Sequence, residues 1–167
     1  MQIKKHPVLK LTLTLLITCG LILSSGCSKK PTDENAVPGA YNADENPMGD
    51  SDSSQAMGLQ TVTFPFDSFE LVAAAKATLD SNMEILKSNS SLNIQIEGHC
   101  DERGGTQYNL ALGEKRANAV RNYLTDKGVS PSRMTTISFG EERPIDSTSS
   151  ESAWAKNRRA NFVITSR

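Results

Sequence analysis

For residues 59–167 the sequence predicts an α/β sandwich, a mixed β-sheet with its helices on one face. Three observations carry that reading. Apolar residues alternate at period two in four short segments and recur at helical period in the segments between them. The order is strand, helix, strand, helix, strand, loop, strand, a pattern that packs helices on a sheet. The stretch is also of the size that buries one modest core, which rules out a second folded domain.

Thr61-Val62-Thr63-Phe64-Pro65-Phe66 alternates with Val62, Phe64 and Phe66 on one face, and Pro65 marks an edge or a strand end. From Val72 to Ser88 the apolar residues Val72, Ala75, Leu79, Met83 and Leu86 are spaced by three and four, with Leu71 and Ile85 flanking them, which predicts an amphipathic helix. Leu92-Asn93-Ile94-Gln95-Ile96-Glu97 alternates again as a second strand. Tyr108 to Lys127 is helical by period and by its helix formers, closed by Gly128 as a left-handed cap and by Pro131 beyond it. Met134–Phe139 and Ala160–Thr165 are the third and fourth strands. A polar loop joins them, with a short helix expected near Ser150 to Lys156.

Before this domain the chain changes character twice. Its overall balance, 18 Lys and Arg against 19 Asp and Glu, sums unlike parts. Lys4, Lys5 and Lys10 precede an uncharged apolar run, Leu11–Leu23, that is too short to span a bilayer, which needs about 20 residues, but fits the core of a signal peptide. The run ends in Leu23-Ser24-Ser25-Gly26-Cys27. This resembles the bacterial lipoprotein signal, which implies that residues 1–26 are removed and that Cys27 is acylated. Ser24 departs from that pattern, which has Leu, Val or Ile at its place. Ser28 resembles the class of lipoproteins sent to the outer membrane, with the domain facing the periplasm. Acyl chains contribute about 0.8 kcal/mol per buried CH₂, so several of them make a lasting anchor.

Residues 27–58 then carry Lys29 and Lys30 against Asp33, Glu34, Asp44, Glu45, Asp50 and Asp52, with Pro, Gly and Ser but no apolar period, and read as a flexible acidic linker. Residues 59–167 are charge-balanced. No segment has the basic excess that nucleic-acid phosphates require, so nucleic acid is excluded as a partner. Once Cys19 has left with the leader and Cys27 is modified, Cys100 stands alone, and no disulfide can form within the mature chain.

The chemistry concentrates in Gly98-His99-Cys100-Asp101-Glu102-Arg103-Gly104-Gly105-Thr106, which leaves the second strand, turns on two glycines and enters the second helix with Thr106 as its expected N-cap. Strand ends and helix N-termini favour anionic ligands, although the loop alone fits a solvated turn equally well. Arg116 decides between them. It falls between Leu112 and Val120 on the inward stripe of the helix, where an arginine is either paired in a partly buried site or snorkelling to its rim. Asp101 is the natural counter-charge. An Asp that takes an ammonium and an Arg that takes a carboxylate in planar fit would suit an amino-acid end group, which carries both.

GHCDERG, YNLALGEKRANAV and NRRANFVI together resemble the peptidoglycan-associated lipoproteins (Pal) of the OmpA-like family over about residues 61–166. The resemblance implies an OmpA-like β-α-β-α-β-β domain that binds peptidoglycan noncovalently through the diaminopimelate of its stem peptide. It implies Asp101 and Arg116 as the principal ligand pair, with Asp67, Asn109, Leu112, Arg103 and Arg158 lining the groove. It further implies TolB and other Tol-system proteins as partners, and no cofactor. Gly105 departs from the family, where Thr or Ser is common. Flagellar stator proteins and outer-membrane porins share the motif, so a wall anchor for another envelope complex is the alternative reading. A wall-hydrolysing enzyme is a remoter one. A Cys–His pair fails because neighbours at a strand end point to opposite faces, and one His beside one Cys has no zinc spacing. His99 is thus expected to pack and hydrogen-bond, Cys100 to be a small half-buried side chain, and Trp154 to lie as a lid on the core, unless it contacts a partner.

Overall fold

The computed structural model describes residues 48–167; the expected leader, Cys27 and the linker up to residue 47 lie outside the described residues. The elements are β1 (Val62–Thr63), α1 (Ala73–Ser88), β2 (Asn93–His99), α2 (Thr106–Asp126), a 3₁₀ turn (Pro131–Arg133), β3 (Met134–Gly140), α3 (Glu151–Asn157) and β4 (Arg159–Ser166). The sheet order is β1-β4-β2-β3. β4 runs antiparallel to both its neighbours, and β2 is parallel to β3, so the sheet is mixed as expected.

The period-two and period-three-to-four patterns meet in one core. Ile94 and Ile96 of β2 and Phe162 and Ile164 of β4 pack with Leu79 and Leu86 of α1 and Val120 and Leu124 of α2. Asn82 lies within this helix face fully buried; its amide takes the backbone N–H of Gln60 and donates to the Gln60 carbonyl, both at 2.8 Å, so no polar group is stranded. Gly128 ends α2 at φ +94°, and Val129 N–H closes on the Leu124 carbonyl at 2.9 Å. That is the left-handed cap the sequence predicts. No helix among the described residues is long and apolar enough to cross a membrane.

Two expectations need correction. β1 is two residues long, not six: Phe64 N–H still reaches the Arg158 carbonyl at 2.9 Å, but Pro65 has no N–H and the chain leaves the sheet there. Val62 and Phe64 are buried, whereas Phe66 is 58% exposed. Part of residues 48–58, read as the end of a solvated linker, is packed instead: Gly49, Ser51 and Ala56 are buried, while Met48, Ser53, Ser54, Gln55, Met57 and Gly58 stay exposed. β1 covers only Arg159 and Ala160 of β4, and the open edge beyond is taken by Met48–Ser51. Met48 N–H donates to the Ile164 carbonyl at 3.2 Å, Ile164 N–H to Gly49 at 2.9 Å and Ser51 N–H to Phe162 at 2.9 Å. Asn161 then gathers the Ser51 hydroxyl at 2.8 Å and the Asp52 N–H at 3.1 Å on its side-chain oxygen. Polar residues with no periodicity can order when an unpaired strand edge supplies their partners.

Candidate functional site

β2 ends at His99, and the chain turns through Cys100–Gly105 into α2. The turn, the Pro65–Ser68 loop and the Arg158 end of α3 border a half-open cavity of about 210 Å³. All seven residues named as ligand contacts line it: Asp67, Asp101, Arg103, Asn109, Leu112, Arg116 and Arg158. Phe66, Cys100, Gly104 and Tyr108 also line it and were not anticipated as contacts. Alternation could have pointed to Phe66, which continues the apolar face of β1 past Pro65, and Tyr108 sits one residue from Asn109 on the first turn of α2.

Arg116 is 1% exposed. Its Nε donates to the Ser68 carbonyl at 2.8 Å, Nη1 to the His99 carbonyl at 2.7 Å and Nη2 to the Pro65 carbonyl at 3.2 Å, with Cys100 Sγ at 3.3 Å from Nη1. Among the described residues no carboxylate lies within 4.0 Å of it. The expected Asp101–Arg116 pair is therefore not formed. Arg116 is held by neutral acceptors, and burial pulls its guanidinium below the usual arginine value.

Asp101 pairs elsewhere. Its Oδ1 accepts from the backbone N–H of Arg103 at 3.1 Å and from Arg103 Nε at 3.3 Å; its Oδ2 accepts from Arg103 Nη2 at 2.8 Å and Arg158 Nη1 at 3.1 Å. Burial pushes the carboxyl up, but the hydrogen bonds from Arg103 and Arg158 outweigh it and hold Asp101 below the usual Asp value. Arg158 is anchored further by the Phe64 carbonyl at 3.2 Å and Glu151 at 3.2 Å. Arg103 lies between two rings, its guanidinium carbon 4.1 Å from the Phe66 centroid and 4.2 Å from that of Trp154. Trp154 is thus a wall for Arg103 more than a lid on the core, and its Nε1 donates to Glu102 at 3.0 Å.

Around the rim, Asp67 sits at φ +49°, a left-handed conformation that Asp tolerates better than most residues, and its carboxylate accepts from the Tyr108 hydroxyl. Asn109 is buried, and its amide donates to the Arg103 carbonyl at 3.3 Å and to Glu141, which ties the loop to α2. The N-cap of α2 is Gly105, not Thr106: Gly105 has the extended backbone, and Thr106 is the first helical residue with its hydroxyl on Glu141 at 3.0 Å. Leu112 supplies an apolar wall.

His99 and Cys100 point apart. The Cys100 thiol, buried rather than half-buried, donates to the Asn109 carbonyl at 3.3 Å, and burial raises its pKa. The imidazole is also buried and stacks on Phe139 with centroids 5.6 Å apart. Neither ring nitrogen has a hydrogen-bond partner among the described residues, which corrects the hydrogen-bonding half of that expectation; Glu97 stands 3.6 Å from Nε2. No group of three or more metal-ligating side chains occurs among the described residues.

Burial holds the His99 pKa below its usual value in spite of Glu97. The unfolded chain therefore binds a proton that the folded one resists. Stability is full above the unfolded value of about 6.5 and is lost as pH falls from there toward the folded value, by at most about 1.4 kcal/mol per pH unit. Asp101 adds nothing to this window, because its lowered pKa places its loss at more acid pH. Urea midpoints measured from pH 7 to 5 should fall for the unchanged chain and stay level for His99→Phe. Parallel slopes would rule out His99 as the source.

The OmpA family model matches residues 63–158. The peptidoglycan-associated lipoprotein of Pseudomonas putida is 38% identical over 155 residues, covering 87% of this chain and 92% of that protein. The crystal structure of the peptidoglycan-associated lipoprotein from Burkholderia pseudomallei is similar with a TM-score of 0.60 at 43% identity, over 62% of this chain and 88% of that one. The C-terminal domain of Helicobacter pylori MotB reaches a TM-score of 0.61 at 21% identity, over 66% and 87%, a likeness of fold alone.

Proposed function

The chain belongs to the OmpA family, and from that premise we propose that it is a noncatalytic peptidoglycan-binding lipoprotein that ties the outer membrane to the cell wall. One observation supports this reading above the rest. The cavity brings Arg116, buried and without a carboxylate partner among the described residues, to the same walls as Asp101. A ligand carboxylate would complete the charge balance of Arg116, whose Nη2 keeps one N–H that the protein's own acceptors do not take. An ammonium from the same ligand would go to Asp101. The side-chain end of diaminopimelate carries both groups on one carbon, and at about 210 Å³ the cavity suits an end group, not a whole stem peptide. The names of the relatives, peptidoglycan-associated lipoproteins, support peptidoglycan as the ligand. Cys27 would carry the acyl anchor, the residues that follow it would span from membrane to wall, and TolB with the other Tol-system proteins would be the protein partners.

The test uses the full-length chain in detergent with insoluble cell wall. Sacculi containing diaminopimelate should retain it, free meso-diaminopimelate should release it, and sacculi with lysine at that position should retain it poorly. Equal retention on both walls, or release of soluble muropeptides, would reject this reading. Acyl labelling in cells should vanish in Cys27→Ala; labelling that persists would reject the anchor.

A further inference from the structure

A carboxylate offers about four lone-pair positions, and all those of Asp101 are in use: three face donors of Arg103 and one faces Arg158. The residue expected to receive a ligand ammonium is already saturated by the protein's own cations. The two arginines are not equally fixed. The Arg158 side chain is 9% exposed and is also tied to the Phe64 carbonyl. The Arg103 side chain is 31% exposed, and its other ion pair, 3.4 Å to Glu151, lies in solvent at the rim. Only Arg103 can leave Asp101 without stranding a second buried group.

We propose that Arg103 is a displaceable counter-ion that occupies Asp101 in the free protein and gives way to the ammonium of the ligand, so that it sets the specificity of the site. This rests on the reading of Asp101 as the ammonium site. The cavity walls carry three guanidinium groups, Arg103, Arg116 and Arg158, against the two carboxylates Asp67 and Asp101. A dicarboxylate lacking an amine satisfies Arg116 but has nothing to exchange for Arg103. A simple amine can compete for Asp101 but leaves Arg116 unanswered. A zwitterion does both, and the released guanidinium keeps a face on Trp154, over which it already lies at 4.2 Å. The competition therefore rejects ligands that bring only half of the pair.

The test is titration calorimetry on the full-length chain with two probes, meso-diaminopimelate and pimelate, which has the same carbon chain and both carboxylates but no amine. In Arg103→Gln the affinity for diaminopimelate should rise by about tenfold or more, because the two side-chain bonds from Arg103 to Asp101 no longer have to be broken. Pimelate should hold or weaken, because the cavity loses a positive charge. Arg103→Lys, which lacks the fork, should shift the ratio in the same direction by less, and it decides the matter if the Gln variant folds poorly. Emission from Trp154, the chain's one tryptophan, should change when diaminopimelate is added to the unchanged protein and not to Arg103→Gln. Equal changes for both probes, or weaker diaminopimelate binding by a folded variant, would overturn the proposal and leave the function standing. No preference for diaminopimelate over pimelate in the unchanged protein would overturn both.

Discussion

Arg116→Ala should lower the stability of the chain by about 3 kcal/mol or more and abolish retention on the wall. The guanidinium joins three segments: the Pro65 and Ser68 carbonyls of the loop after β1, the His99 carbonyl that ends β2, and α2 itself. Truncation leaves those carbonyls facing a void. Each buried acceptor left unmet costs about 1–3 kcal/mol, partly offset because a charge no longer has to be kept from water. The void adds a packing term of its own. Arg116→Lys separates the two roles. A lysine retains the positive charge but concentrates its donors on one atom, which cannot serve carbonyls lying on different sides of a planar fork. It should recover part of the stability and little of the wall binding. Urea midpoints and pull-down on the same preparations check both statements, and a midpoint for Arg116→Ala equal to that of the unchanged chain would show that the carbonyl contacts carry no weight.

The inward position of Arg116 was readable because it is local: a helix of period 3.6 places it between Leu112 and Val120 whatever surrounds it. The same holds for the glycine cap at Gly128 and for the alternation in β2 and β4. What the sequence could not show is which distant group answers each charge. Asp101 and Arg116 are opposite in sign and share a cavity, yet Asp101 is answered by Arg103, two residues away, and by Arg158, 57 residues further along the chain. The sandwich of Arg103 between Phe66 and Trp154 joins three separate segments, and no pattern in the sequence says that they meet. Met48–Ser51 escaped for a related reason. Their order comes from the unpaired edge of β4, and hydropathy does not register a backbone partner. The cavity could thus be populated from the sequence, residue by residue, while its internal pairing could not.

Gly98→Ala should be as damaging as the loss of Arg116, although it removes nothing. A Cβ on Gly98 would stand 1.9 Å from the Gly113 carbonyl oxygen and 2.6 Å from its carbon, where real contacts do not come under 3.0 Å. The obstacle is helix backbone, not a side chain that can turn away, so α2 would have to lift off β2 by about 1 Å in a close-packed interior. Gly113 meets the same crowding from the other side, with its would-be Cβ 2.3 Å from Ser138 Oγ. This glycine contact sets the height of α2 over the sheet. Arg116 is three residues beyond Gly113, and its 2.7 Å bond to the His99 carbonyl cannot survive such a displacement. Overpacking of this kind costs about 1–3 kcal/mol and more when backbone must move, so a loss of at least about 3 kcal/mol is expected, with wall binding lost alongside. Gly105→Ala is the matched control from the same motif. Nothing lies within 4 Å of its would-be Cβ and its φ of −96° is open to any residue, so the loss should be limited to the poorer N-cap that Ala makes for α2, about 1 kcal/mol or less. If the two alanine variants melted alike, helix height over Gly98 would not be what holds the site together.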